Sequence, residues 1–191
     1  MNLAPASAET FTQDALQNPH NRAILERLPG LKLPDAWLVA GCLFQTVWNL
    51  RSGRPPIAGI KDYDLFYFDA SDLSAQAEMA VQARVEACCA DLGITVEIKN
   101  QARVHTWYPD YFGFPYPALT CSQDGLDRFL VRCTCVGLQA CGAEPVLYAP
   151  NGLDELYQGI LRPNPLCDHR TLFTRKVASY RARWGWLETR A

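Results

Sequence analysis

Apolar and polar positions alternate with two different periods along the chain, and the changes of period divide it into elements. Alternate or continuous apolar positions predict strands, whereas apolar residues three or four positions apart predict helices. The predicted strands are "AWLVAG", "DYDLFYFD", "ITVEIKN" and a hairpin made of "LVRCTCVGLQ" and "EPVLYAP". The predicted helices are "AETFTQDALQ", "HNRAILERLPG", "CLFQTVWNL", "SDLSAQAEMAVQARVEACCADLG", "SQDGLDRF", "GLDELYQG" and "TLFTRKVASYRARW". The segment "ARVHTWYPDYFG" is compatible with a short helix or an ordered loop.

Residues with strong local preferences predict where several helices begin and end. Pro29 and Gly30 are expected to stop the second helix. Ser71 or Asp72 is expected to begin the long helix, which a glycine at position 93 would close. Ser122 is the expected cap of the helix in "SQDGLDRF".

The order of these elements predicts the fold class. Strands and helices alternate through the first half, which favours an α/β or α+β fold with a small mixed sheet flanked by helices. A chain of 191 residues is long enough for one sizeable core. We therefore expect one domain, with a helical extension at 1–30, a core at 31–150 and further helices at 151–191.

Composition and charge exclude several classes of protein. Hydrophobic residues make up 49% and charged residues 20% of the chain, which is typical of globular proteins. A net charge of −2 gives no overall attraction to nucleic acid or membranes. No apolar run approaches the length of a membrane span, and no signal peptide is visible at the start. These features predict a cytoplasmic protein with no membrane partner.

The eight cysteines include no C-x-x-C pair, so their spacing does not indicate a zinc site. Cys133 and Cys135 would share one face of a predicted strand, as small buried residues do. Because cytosolic thiols stay reduced, we expect the cysteines to be structural and unpaired.

The stretch "GIKDYDLFYFD" carries the chemistry that the rest of the chain lacks. Asp62 and Asp64 are two residues apart on a predicted strand, so both carboxylates face one side, about 6.7 Å apart. Like charges held this close repel, and a bound cation relieves that repulsion. Glu97, on the next predicted strand, would add a third carboxylate. Such a cluster suits Mg²⁺, and can hold two ions about 3.5–4 Å apart that assist the attacking oxygen and the leaving pyrophosphate.

Several neighbouring groups are candidates for binding phosphate. The strand-to-helix turn in "VAGCLFQ" would point the backbone N–H groups of Gly41 and Cys42 toward an anion. Lys61 and Lys99 flank the acidic residues, and Arg103 follows on the same segment as Lys99. These cations could neutralise phosphate oxygens, although Lys99 is equally compatible with a solvated strand position.

Together these motifs resemble the nucleotidyltransferase superfamily of DNA polymerase β. More closely, "AGCLFQTVWN", "GIKDYDLFYFD", "VEIKNQARVHTWY" and "APNGLDELYQGILRPNP" are similar to a bacterial family known simply as nucleotidyltransferase family proteins. The resemblance extends from about Trp37 to the last helix. It implies the small nucleotidyltransferase fold and metal-dependent transfer, with Mg²⁺ or Mn²⁺, of a nucleoside monophosphate from a nucleoside triphosphate to an acceptor hydroxyl.

The resemblance also implies roles for individual residues. Asp62 and Asp64 match the metal-binding pair, and Glu97 matches the third carboxylate, which helps to activate the acceptor hydroxyl. Gly41 and Cys42 match the phosphate-facing turn. The chain departs from the pattern at Cys42, where Gly or Ser is usual, at Glu97, where Asp is usual, and in the inserted "RSGRPPIAG".

Two other functions remain open from the sequence. The chain could be a non-catalytic nucleotide-binding or interaction module with the same fold, an alternative that Cys42 favours. It could also be an RNA-directed enzyme that adds nucleotides to RNA ends. The sequence does not identify the acceptor, which is a small molecule, a protein or RNA. The basic segment 170–191 could contact nucleic acid through phosphates and its two tryptophans, but a solvated amphipathic helix with buried tryptophans is the favoured interpretation.

Overall fold

A five-stranded mixed sheet forms the centre of the protein. A computed structural model describes residues 6–142, 144–167 and 169–190. The strands of the sheet are β1 (Trp37–Val39), β2 (Asp62–Tyr67), β3 (Thr95–Asn100), β4 (Gly137–Gln139) and β5 (Val146–Tyr148). Their order is β3-β2-β1-β4-β5, with β2 and β3 parallel and the other neighbours antiparallel. Two short parallel strands, β6 (Ile160–Leu161) and β7 (Glu188–Thr189), pair separately and were not predicted.

Helices flank this sheet, as the sequence predicts. They are α1 (Ala8–Ala15), α2 (Pro19–Leu31), α3 (Gly41–Arg51), α4 (Ala75–Cys89), α5 (Tyr108–Phe112), α6 (Ser122–Leu126), α7 (Asp154–Gln158) and α8 (Arg170–Arg183). A 3₁₀ segment (Gln101–Thr106) precedes α5, so the ambiguous stretch is helical. Within the described ranges, no helix has the length and apolar character needed to cross a membrane.

The alternation along β2 places its acidic residues on the face opposite the core. Tyr63, Leu65 and Tyr67 are buried, whereas Asp62 and Asp64 are only partly buried on the other face. The neighbouring strand β3 alternates in the same way, with its even-numbered positions buried and its odd-numbered positions exposed. The predicted strand pattern is therefore confirmed in both strands.

The last helix packs against α3 through a cluster of aromatic rings. Trp48 is fully buried, and its ring centroid lies 5.2 Å from those of both Tyr180 and Trp184. The Trp184 indole Nε1 donates a hydrogen bond to Asn49 Oδ1 at 3.0 Å. This packing fixes α8 against α3, and it confirms that Trp184 is a core residue.

The N-terminal helices share the same core. Phe11 and Ile24 are buried in the cluster that contains the sheet and α3. The fully buried Asn18 amide donates to Thr46 Oγ1 at 3.2 Å and to the Tyr63 hydroxyl at 3.3 Å. These hydrogen bonds satisfy polar groups that would otherwise be costly to bury.

The predicted end of α2 and the predicted start of α4 are both wrong for local reasons. Pro29 lies inside α2, which continues to Leu31 and closes at Lys32 in the left-handed conformation (φ 50°). Pro29 lacks the N–H that would bond to the preceding turn, but its backbone is compatible with a helical φ, so the helix continues for two more residues. The long helix α4 begins after Ser74, whose Oγ accepts from the backbone N–H of Ala77, rather than at Ser71 or Asp72.

The residues that were expected to begin α4 form turns instead. The side chain of Asp72 accepts a hydrogen bond from the backbone N–H of Ser74 at 2.8 Å. Ser122 is likewise the first residue of α6 rather than its cap, which is Cys121. The Ser122 hydroxyl donates to the Asp35 carbonyl at 2.7 Å. Asp and Ser side chains commonly bond to nearby or distant backbone in this way, which blurs helix boundaries in sequence.

The prediction for Cys133 and Cys135 is also wrong in its geometry. Arg132–Thr134 form a 3₁₀ turn and β4 begins only at Gly137, so the two cysteines do not share a strand face. The Thr134 hydroxyl donates to the Val131 carbonyl at 2.7 Å and stabilises the turn. Both cysteines are nevertheless buried, and all eight, which lie in the described ranges, are free thiols.

Candidate functional site

The partly buried face of β2 forms one wall of a cleft of about 810 Å³. The turn between β1 and α3 and the exposed face of α8 also line the cleft. Its charged lining residues are Lys61, Asp62, Asp64, Arg128, Lys176 and Arg183. Two carboxylates and four cationic side chains thus line one cleft.

Asp64 is the most perturbed acidic residue of the cleft. It pairs in register with Val39 of β1 and with Glu97 of β3, and Asp62 precedes it by two residues on the same face. Burial, together with the charges of Asp62 and Glu97, raises the pKa of Asp64 to about 7, and Lys176 and Lys99 oppose this shift. Asp64 is therefore partly protonated near neutral pH unless a cation is bound beside it.

Glu97 lies beside Asp64 but not in the cleft. Its side chain is exposed, and it is not among the residues that line the cleft. Among residues 6–142, 144–167 and 169–190, no group of three or more acidic, histidine or cysteine side chains is arranged to hold a metal ion. The structure thus brings Asp62 and Asp64 together in the cleft and leaves Glu97 next to them on the neighbouring strand.

The turn that leads into α3 has an unusual backbone. Ala40 has φ 61° and ψ −131°, a conformation that L-residues other than glycine seldom adopt. Its N–H donates to the Val136 carbonyl at 3.3 Å, and its carbonyl accepts from Leu43 and Phe44. Strained residues of this kind cost about 1–3 kcal/mol and collect at functional sites. Ala40 lines the cleft.

Gly41 and Cys42 follow in the first turn of α3. Gly41 lines the cleft, where an added Cβ would lie 2.6 Å from Gln45 Nε2. Cys42 is fully buried, and its thiol donates to the Val39 carbonyl at 3.4 Å. Burial and the nearby Asp64 raise the pKa of this thiol. The Cys42 side chain therefore faces the core, and only its backbone could contact a phosphate.

The three candidate cations from the sequence occupy different places. Lys61 lines the cleft. Lys99 is exposed on β3, opposite Phe66 in register, and does not line the cleft. Arg103 forms a largely buried ion pair with Glu78 at 2.7 Å, and its Nε donates to the Leu73 carbonyl at 3.1 Å. The guanidinium of Arg103 is therefore occupied outside the cleft lining.

Sequence reasoning missed the contribution of α8. Lys176, Ser179 and Arg183 recur at helical spacing and line the cleft, while Val177, Tyr180 and Trp184 anchor the helix in the core. The helix carries five basic residues and no acidic one, which was a visible signal. That signal was interpreted as a solvated face, because sequence alone does not show what lies opposite it.

The carboxylates of the cleft fit a divalent metal. In the described ranges, neither Asp62 nor Asp64 forms an ion pair with a basic side chain. Magnesium prefers oxygen ligands, and is usually held by one or two carboxylates together with water and substrate phosphates. The raised pKa of Asp64 is what uncompensated carboxylates show, and a bound cation would lower it.

The fold, with paired aspartates beside a strand-to-helix turn, is that of the polymerase-β-like nucleotidyltransferase class. A solved structure described as "The NMR structure of the protein reveals a CCA-adding enzyme head domain" is similar over 97% of this chain and 96% of that chain, with a TM-score of 0.79 and 26% identity. A family model described as nucleotidyltransferase matches residues 26–189, and the chain belongs to that family. No curated protein gave a significant match.

Proposed function

We propose that this protein is a metal-dependent nucleotidyltransferase that moves a nucleoside monophosphate from a nucleoside triphosphate to an acceptor hydroxyl. The observation that carries the proposal is the perturbed Asp64, held beside Asp62 in a cleft that four cations also line. A bare carboxylate with a raised pKa is unfavourable near neutral pH, and a bound Mg²⁺ or Mn²⁺ would relieve it. Family membership supports the use of a nucleoside triphosphate.

The residues of the cleft divide the work of binding. Asp62 and Asp64 would hold the metal, which when bound neutralises charge on the reacting phosphates. Lys61, Lys176 and Arg183 are placed to bind phosphate oxygens, because charge-assisted hydrogen bonds to phosphate are strong. The N–H groups at the start of α3 would add uncharged donors.

Transfer itself is a simple exchange of bonds. The acceptor hydroxyl oxygen bonds to the α-phosphorus, the bond from that phosphorus to the pyrophosphate oxygen breaks, and the hydroxyl proton passes to water. Glu97, the register partner of Asp64, is proposed as the third carboxylate, which would help to activate the acceptor hydroxyl. The cation-rich lining suits the developing negative charge on the pyrophosphate.

An apolar part of the cleft is suited to the nucleotide base. Phe66 and Phe129 both line the cleft, and their rings meet edge to face with centroids 5.8 Å apart. Aromatic side chains bind bases through stacking with little sequence preference. This arrangement supports nucleotide binding but does not select one base.

The direct experiment is a thermal-shift panel of the four nucleoside triphosphates with and without Mg²⁺ or Mn²⁺. A ligand that binds the native state raises the melting temperature. We expect a metal-dependent shift in the wild type that the D62N/D64N double variant loses, and an unchanged shift in the D72N variant, whose exposed carboxylate lies outside the cleft. No shift with any triphosphate and metal in the wild type would contradict the proposal.

Non-catalytic nucleotide binding is the second candidate function. The presence of Cys42 where Gly or Ser is usual favoured this alternative. The Cys42 side chain, however, is turned into the core, so the cleft loses no side-chain contact through this difference. Release of pyrophosphate in the presence of candidate acceptors separates the two functions. A metal-dependent thermal shift without pyrophosphate release across small-molecule, protein and RNA acceptors would favour the binding module.

A further inference from the structure

Five aromatic side chains form a partly exposed surface beside the cleft, which we call the aromatic ladder: Tyr108, Tyr111, Phe112, Phe114 and Tyr116. Tyr111 is 77%, Phe114 41% and Phe112 37% exposed, although these three lie within four consecutive residues. Single exposed apolar side chains are ordinary, but contiguous ones usually mark a binding surface. The ladder therefore requires an explanation that packing does not supply.

Four rings of the ladder are in contact from its exposed end to its inner end, and Phe114 is joined to them through the ring of His169. Tyr108 lies between Phe112 and Tyr116, with ring centroids 4.5 Å and 4.4 Å away. Tyr111 extends the series outward, 4.7 Å from Phe112. At the inner end, the Arg128 guanidinium lies 5.5 Å from the centroid of the Tyr116 ring. Because Arg128 lines the cleft, the ladder is continuous with it.

The ladder also contacts the residue that precedes the basic helix α8. The helix α8, which supplies Lys176 and Arg183 to the cleft, begins directly after His169. The ring of His169 lies 4.1 Å from that of Phe114, and its Nε2 is 3.3 Å from the Tyr108 hydroxyl. In the segment 107–118, Asp110 is the one acidic residue. The ladder thus adjoins a helix with five cations and no anion.

We propose that the aromatic ladder binds the single-stranded end of a nucleic-acid acceptor and directs its terminal hydroxyl into the cleft. Exposed bases stack on aromatic faces while phosphates pair with neighbouring Arg and Lys, and this combination of rings and cations is what the surface offers. Paired bases in a duplex cannot splay onto such rings, so the ladder selects single strands. The inference rests on the proposed transferase function and names its acceptor class.

The test measures binding of fluorescently labelled single-stranded RNA and DNA of the same sequence by anisotropy at low salt. The wild type is expected to bind single strands, and an unlabelled duplex to compete poorly. The Y111A/F112A double variant should bind at least about 10-fold more weakly, because each stacked base contributes about 5-fold or more. M79A is the control, since Met79 is 70% exposed on α4 and outside the ladder.

A second variant protects the test against loss of folding. Tyr111 is mostly solvent-exposed, so Y111A alone should leave thermal unfolding unchanged and still weaken strand binding, whereas Y111W should retain it. If both alanine variants keep the affinity of the wild type for single strands, or if duplex and single strand bind equally well, the proposed strand binding by the ladder is wrong. A dimer that Y111A dissolves in a protein that binds no strand would also overturn it, because a second copy would then be the occupant of the ladder.

Failure of the ladder and failure of the proposed function have different signatures. Metal-dependent triphosphate binding with transfer to a small molecule, and no strand binding, would overturn the ladder and leave the transferase intact. Strand binding that depends on Tyr111 and Phe112, without incorporation of any labelled nucleotide, would support the ladder and overturn the transferase.

Discussion

Asp64 and Glu97 are register partners on the parallel strands β2 and β3, with both side chains on the same face of the sheet. Asp62, two residues away on the same strand, adds a second like charge, and partial burial removes the water that would screen them. The pKa of Asp64 rises to about 7 for these reasons.

The D62N/D64N double variant should be more stable than the wild type without metal. Neutral amides of nearly the same shape remove the repulsion, so we expect the free energy of unfolding in EDTA to rise by about 1–3 kcal/mol near pH 7.5. Denaturant unfolding measures it, with D72N as the exposed control. A double variant clearly less stable than the wild type in EDTA would instead make the aspartates structural.

The stability of the metal-free protein should fall as the pH rises from about 4 to about 7. The pKa of Asp64 in the folded state, about 7, exceeds the unfolded value of about 3.9, so the folded state binds the extra proton in this range. Its contribution is complete below pH 4 and is lost as the pH rises through 7. Denaturant unfolding at several pH values in EDTA should show this decline.

Two controls isolate Asp64 as the source of that pH dependence. D64N should flatten the decline, since the titrating group is gone, although Asp62, Glu97, Lys99 and Lys176 remain around the site. Saturating Mg²⁺ should restore stability at neutral pH in the wild type and not in D64N. A decline of equal size in D64N would assign the pH dependence to another group.

The A40G variant should be more stable than the wild type by about 1 kcal/mol. Glycine adopts the φ 61° conformation without the penalty that Ala40 incurs, and this gain exceeds the added flexibility of the unfolded chain. Thermal or denaturant unfolding measures the difference. A80G is the matched control, because the same substitution in the exposed interior of α4 should cost about 0.5–1 kcal/mol. Destabilisation of similar size in both variants would show that Ala40 is unstrained.

The K176Q variant should bind the metal–triphosphate complex about 10-fold more weakly than the wild type. Lys176 lines the cleft, and a charge-assisted hydrogen bond to phosphate contributes about 1.5–3 kcal/mol. Calorimetry with the triphosphate that gives the largest thermal shift measures the affinity. The neighbouring Arg175 is exposed and does not line the cleft, so R175Q should bind as the wild type does. An equal loss of affinity in K176Q and R175Q would indicate that the overall positive charge of α8, and not contact with Lys176, attracts the triphosphate.

The sheet and its acidic face could be predicted from the sequence, because strand alternation is local. Alternate burial along β2 and β3 puts Asp62, Asp64 and Glu97 on one face, and the order of elements makes these strands neighbours. Helix boundaries were less predictable, because Asp72 and Ser74 both have side chains that accept a hydrogen bond from a nearby backbone N–H. Either side chain could therefore cap a helix or stabilise a turn.

The cations of the cleft could not be assigned from sequence, because their partners are distant in the chain. Arg103 pairs with Glu78, 25 residues earlier, and only the packing of α4 against β3 brings them together. Lys176 and Lys99 have equivalent sequence patterns of a charged residue on a polar face. The aromatic packing of α8 on α3 decides that Lys176, and not Lys99, lines the cleft with the aspartates.

Because α8 follows β1, α3 and β2 in the chain, the parts of the cleft lining are synthesised at different times. Ribosomes release the N-terminal elements first, so the acidic strand can pair with its neighbours before Lys176 and Arg183 have been made. A nascent chain at that stage has the repelling carboxylates and Lys61 without the two cations of α8. The part of the lining that α8 contributes, Lys176 and Arg183, can therefore join the proposed triphosphate site only after the acidic strand has been made.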